Sequence, residues 1–174
     1  MIKRHGLERA VAVYGEGVEA RKDLARFVED ENIDCDYQPA GLFRGAYREK
    51  HYDAMGREAD LINKHLGVGA RMVSKPEQRA EIGSDLYHGG MVRPDIAGVH
   101  PGKLHQGILR VALDAGVIVH GQTEVTGVQS DGDGHEVATS RGVVRARNVI
   151  MATNGYTGPA TPWLQRRVIP IPSQ

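Results

Sequence analysis

Apolar and polar positions alternate along this chain with two different periods, and the change of period divides it. From Glu16 to Glu31 the apolar residues Val18, Leu24, Phe27 and Val28 recur at helical spacing among charged residues, which predicts an amphipathic helix. Leu7 to Tyr14 reads as a preceding helix, with a break expected near Gly15 and Gly17. His51 to Leu66 resumes the helical period through Tyr52, Met55, Ala59, Ile62 and Leu66, and Gly67 stands where such a helix stops. The most regular stripe is Leu104, Ile108, Val111, Ala112 and Ala115, opened by Pro101 in a first-turn position and closed by Gly116.

Between these helices the period shortens to two. Ile33 to Tyr47 holds two short alternating runs punctuated by Pro39 and Gly41, which suit strands. Pro76 to Ile82 predicts a helical turn, and Leu86 to Val92, with Gly89-Gly90, a kinked strand. Val117-Ile118-Val119 suits a buried strand directly after a helix. Beyond it Thr123–Gln129, His135–Thr139 and Val143–Arg145 predict an antiparallel meander, with turns at Asp131-Gly132-Asp133-Gly134 and Ser140-Arg141-Gly142. Asn148 to Ala152 reads as one more apolar strand, ending in the small polar turn Thr153–Gly158, where α/β folds place ligands. From Pro159 onward four prolines and no period predict an extended tail.

Composition narrows the function classes. The 174 residues suffice for one domain or part of a larger one, and 22 basic residues balanced by 22 acidic ones leave no basic excess for nucleic acid. Arg166-Arg167 reads as solvated surface. A single cysteine, Cys35, allows no internal disulfide, which favours the cytoplasm. No run of about 18 apolar residues suggests a membrane span. The eight histidines include no helical His-x-x-x-His pair, so no metal site is expected. Asp131 to Gly134 resembles the start of a calcium loop without its later ligands and reads as a hairpin turn. The nucleophile elbow, the phosphate loop and the Gly-x-Gly-x-x-Gly fingerprint are all missing.

Four blocks nevertheless carry a resemblance in their order. Ile33-Asp34-Cys35-Asp36-Tyr37-Gln38-Pro39-Ala40-Gly41-Leu42-Phe43 resembles a stretch of bacterial oxidoreductases of the gamma-glutamylputrescine oxidase type. His100-Pro101-Gly102-Lys103-Leu104, Thr123-Glu124-Val125 and Val149-Ile150-Met151-Ala152-Thr153-Asn154-Gly155-Tyr156-Thr157 follow in the same sequence. Together they make the chain similar to an internal segment of the FAD-dependent glycine/D-amino acid oxidase family. The fold this implies is α/β (α+β): part of an FAD-binding Rossmann-like domain interleaved with an antiparallel-sheet substrate domain. Residues 1–100 would be mainly substrate-domain helices and strands, 101–158 the FAD-domain helix, meander and closing strand, and 159–174 an extended tail.

The resemblance implies oxidation of the C–N bond of an amine or amino acid, with hydride passing to flavin. Carried over by position, the backbone of Val125 would meet adenine, while Ala152, Thr153, Asn154 and Gly155 would line the pyrophosphate and ribose. Val125 also reads as an ordinary β-branched core residue, and Ala152 to Gly155 as a plain strand-to-loop turn. His100 is either a helix cap or a residue facing the flavin. Tyr47, Tyr87 and Arg93 could reach a substrate carboxylate, and spacing selects none of them; no catalytic residue is nominated. Because the fingerprint and the later flavin segment are missing, inactivity of the isolated chain is expected. Two alternatives stand beside this: a non-catalytic ligand-binding or scaffold domain derived from the family, and one piece of a split oxidase whose open sheet edges a partner chain or self-association would cover.

Overall fold

The computed structural model describes residues 1–170, in two compact units, Met1–Val117 and Ile118–Gln174, of which 171–174 lie outside the described residues. The first unit begins with a short helix α1 (Ile2–His5) and a long one, α2 (Leu7–Asp30). The break expected at Gly15 and Gly17 does not occur. Two glycines cost a helix about 1 kcal/mol each relative to alanine, but buried Ala10 and Val28 and the packed side chains of Val18 and Phe27 flank them on both sides. Packing therefore carries the helix through. Asn32 ends it in the left-handed region, φ 50°, with the Ile33 N–H donating back to the Val28 carbonyl at 2.9 Å.

Strand β1 (Leu42–Gly45), helix α3 (Glu49–Leu66), strand β2 (Arg71–Val73), a 3-10 turn (Gln78–Ala80), strand β3 (Gly90–Arg93) and helix α4 (Pro101–Asp114) complete the unit. The sheet is antiparallel in the order β1-β3-β2, with Phe43 opposite Val92 and Met72 opposite Met91. Gly67 stops α3 at φ 61°, as its position predicts, and Asn63 clamps the following loop by pairing with both the N–H and the carbonyl of Ala70 at 2.7 Å. His100 caps α4, its Nδ1 accepting from the Lys103 N–H at 3.3 Å.

Two apolar clusters hold these elements. Ala59, Val68, Ala70 and Met91 gather Val18, Met55, Ile62, Leu66 and Met72 around them; Val28, Ile33 and Cys35 gather Phe27, Tyr37, Val99, Leu104 and Val111. The second explains a departure from the predicted strands. Ile33 and Cys35 are buried and alternate with exposed Asp34 and Asp36, so the alternation is real, yet it serves packing against α4 without a ladder. Asp36 at φ 51° breaks the extension, and the backbone bonds around it are isolated ones: Gln38 bridges to Gly98, and the Cys35 carbonyl accepts from the His100 N–H at 2.8 Å.

A half-buried ion cluster ties α2 to the loop after β3. Asp95 accepts from Arg93 at 2.9 and 2.6 Å and also from Arg21. Burial pushes the Asp95 carboxyl up, but the Arg93 hydrogen bond and the two positive charges outweigh it and hold it below the usual range. A lowered folded-state value means the unfolded chain binds the proton first. This contribution to stability is therefore full above about pH 4 and is lost as pH falls through the folded value. Asp95→Asn is expected to lower the thermal midpoint at neutral pH and to flatten its decline between about pH 5 and about pH 3. An unaltered decline in circular-dichroism melts contradicts this.

The second unit is the predicted meander: β4 (Val125–Asp131), β5 (Gly134–Thr139) and β6 (Gly142–Ala146), antiparallel in that order. Gly132 at φ 60° makes the two-residue turn between β4 and β5. Ser140 in the next turn anchors the start of β4, its hydroxyl accepting from Glu124 N–H at 3.1 Å and its N–H donating to the Glu124 carbonyl at 2.8 Å.

Neither Val117–Val119 nor Asn148–Ala152 forms a strand. A strand exists only where a ladder satisfies its backbone, and neither run has a ladder partner among the described residues; Ile118 is 80% and Ile150 90% exposed. After Pro159 the chain is not wholly extended: a short helix α5 (Pro162–Gln165) forms, with Pro162 in its first turn. No helix of the described residues is long and apolar enough to cross a membrane.

Candidate cofactor cleft

The second unit carries a cleft of about 570 Å³, within the range of small-molecule sites. Its first wall is the start of β4. Consecutive residues of a flat strand face opposite ways, yet Thr123, Glu124, Val125 and Thr126 all line the cleft. Thr123 and Glu124 precede the strand, and within it adjacent Val125 and Thr126 share the cleft at an irregularity in the ladder: Val125 pairs with Thr139 and Gly127 with Ala138, leaving Thr126 without a partner. Such bulges re-aim side chains. Val128 and Val137 continue this wall, and Val149, Ile150 and Met151 bring the otherwise unpaired apolar run against it.

The second wall is a turn. Asn154–Tyr156 forms a 3-10 helix preceded by Thr153, and in that geometry side chains three apart eclipse one another. Thr153 and Tyr156 therefore share the cleft face, while Ala152, Asn154 and Gly155 are not among the lining residues. Gly158, Pro159, Ala160 and Thr161 also line the cleft.

Of the residues singled out from sequence, Val125 and Thr153 thus meet in one cleft. The others lie beside it on the same turn. Thr126, Val128, Val137 and the Pro159–Thr161 segment were not singled out, and Tyr156 and Gly158 stood in the expected ligand turn without a role of their own. The legible trace of the bulge is Gly127 inside a strand pattern, since an interior glycine often marks one.

The lining chemistry is aliphatic and nearly uncharged. Glu124 is its one ionisable carboxylate, and no Lys or Arg lines it. A flat, neutral, apolar-faced group such as the adenine of FAD fits these walls. The diphosphate, which needs cations or helix N–H groups, finds no cation there.

Tyr47, Tyr87 and Arg93 belong to the first unit. The Tyr87 ring packs edge-on against Tyr47 at 5.2 Å and Phe43 at 6.3 Å, and a hydrogen bond with Tyr47 pushes its phenol up. Arg93 is engaged by Asp95, whose hydrogen bond raises it further. Among the described residues no group of three or more His, Cys, Asp or Glu is arranged to hold a metal.

Comparison with known proteins decides the family. The family model of FAD-dependent oxidoreductases (DAO) matches residues 3–174. The chain belongs to this family. It is 27% identical over 173 residues to gamma-glutamylputrescine oxidoreductase of Escherichia coli, covering 99% of this chain and 40% of that protein. An oxidoreductase named OrdL from Rhizobium meliloti is 25% identical over 168 residues, or 97% of this chain and 39% of that one. In structure the chain is similar to glycine oxidase from Geobacillus kaustophilus, with a TM-score of 0.76 at 21% identity over 89% of this chain and 42% of that chain. The α/β architecture expected from the sequence is thus that of FAD-dependent oxidases. The chain spans about two fifths of the length of these relatives.

Proposed function

We propose that the chain forms part of an FAD-dependent oxidoreductase that oxidises the C–N bond of an amine or amino acid. FAD supplies the chemistry by accepting a hydride from the carbon beside nitrogen. This chain's residues bind and position. The observation that carries the reading is the cleft of the second unit, which gathers Val125 and Thr153 from distant segments onto one aliphatic surface in a member of an FAD-dependent family.

In this reading Val125 meets the adenine, and Ala152, Thr153, Asn154 and Gly155 lead from it toward ribose and pyrophosphate. Residues 1–100 contribute mainly to the substrate domain and 101–158 to the FAD domain, with the tail 159–174 following. The name of the Escherichia coli relative supports an amine as substrate class. Buried, unpaired Cys35 supports a cytoplasmic setting.

The chain by itself is proposed to be inactive. Ile118 and Ile150 stand in apolar runs that lack a strand partner among the described residues, and the diphosphate has no cation in the cleft. The same open runs offer a surface that a partner chain or self-association would cover.

The test is the visible spectrum of the full chain after incubation with FAD and desalting, followed by addition of amine. The expected result is a colourless protein without amine-dependent flavin reduction. Flavin bands retained at near one per chain, bleached by an amine, contradict the inactivity.

A further inference from the structure

We propose that Tyr156 is the residue that closes this cleft over the adenine ring, stacking on one face of the base while the valines of the meander hold the other. The inference rests on the adenine reading above and adds the group that fixes the ring in place. Tyr156 lines the cleft, yet 95% of its surface is exposed. A large aromatic side chain left that open on the rim of an aliphatic cavity is a platform without its partner.

Its mount is stiff. The Tyr156 N–H donates to the Thr153 carbonyl at 3.0 Å, the Thr153 and Thr157 hydroxyls pair at 2.8 Å, and the Thr157 hydroxyl donates to the Asn154 carbonyl at 2.8 Å. The turn therefore offers the ring from a fixed backbone, and stacking costs little beyond side-chain rotation. Val125, Val128 and Val137 line the same cleft, and Val128 and Val137 are cross-strand partners whose branched methyls make an apolar surface. A planar heteroaromatic base between such a surface and a phenol ring is held by its faces. The absent cations mean that phosphates add little, so adenosine, AMP and ADP should bind within a few-fold of one another.

The experiment uses the full chain with AMP as probe, read by equilibrium dialysis and by the emission of Trp163, the sole tryptophan, two residues after the cleft residue Thr161. Wild type and Tyr156→Phe are expected to bind alike, because the ring face is kept. Tyr156→Ala is expected to bind about tenfold more weakly, with an unchanged circular-dichroism spectrum because the residue is exposed. Equal binding by wild type and Tyr156→Ala overturns the stacking role while leaving the adenine cleft standing. No retention of AMP by wild type at millimolar nucleotide overturns the adenine reading itself, and the role of Tyr156 falls with it.

Discussion

Gly89→Val is expected to unfold most of the Met1–Val117 unit. Gly89 sits at φ 84°, and a Cβ there would lie 2.4 Å from the Val73 carbonyl oxygen, 2.8 Å from the Tyr52 ring and 3.1 Å from the Lys75 nitrogen. Two of these three neighbours are backbone, so they cannot turn aside. The position also joins β1 to β3, since Ala46 N–H donates to the Gly89 carbonyl at 2.9 Å. Left-handed strain of about 1–2 kcal/mol and overpacking of about 1–3 kcal/mol add to roughly 2–5 kcal/mol. Gly67→Ala is the matched control: φ is 61°, but nothing lies within 4 Å of the new Cβ. It should show the backbone strain alone. Far-ultraviolet circular dichroism reads both variants, because α2, α3 and α4 all lie in this unit. Equal midpoints for the two would refute the steric account.

The next largest effect is expected at Met91. Its side chain is 0% exposed at the centre of β3, among Ala59, Val68 and Ala70. Truncating a buried methionine loses transfer energy and leaves a cavity, a cost of about 2–5 kcal/mol, whereas an isosteric Met91→Leu should cost less than about 1.5 kcal/mol. Urea unfolding measures both. If Met91→Ala costs no more than Met91→Leu, the cluster around Met91 is not the core of the unit.

The elements that were legible in the sequence are those whose stability is mostly their own. Helices α3 and α4 carry a clean apolar stripe together with a stop or start residue, Gly67 and Pro101, and the meander carries its own turn glycines. What misled was structure that depends on distant partners. Gly15 and Gly17 look like breakers until the packing of Ala10, Val18 and Val28 outweighs them. Val117–Val119 and Asn148–Ala152 have strand composition, but composition cannot supply a ladder. In the candidate site, Val125 and Thr153 were within reach of a block resemblance. Tyr156 stood in the same block without a role, and Thr126 in none, because what brings them to the cleft is the 3-10 turn and the bulge, which are backbone geometry.

The second unit is proposed to be the adenine side of an FAD site. Amide chemical-shift mapping of the isotopically labelled chain, titrated with FAD, tests it most directly. Shifts are expected to concentrate at Thr123–Val128, Val137 and Met151–Tyr156, with the Met1–Val117 unit largely unmoved. Shifts centred on the first unit, or none at saturating FAD, would contradict it.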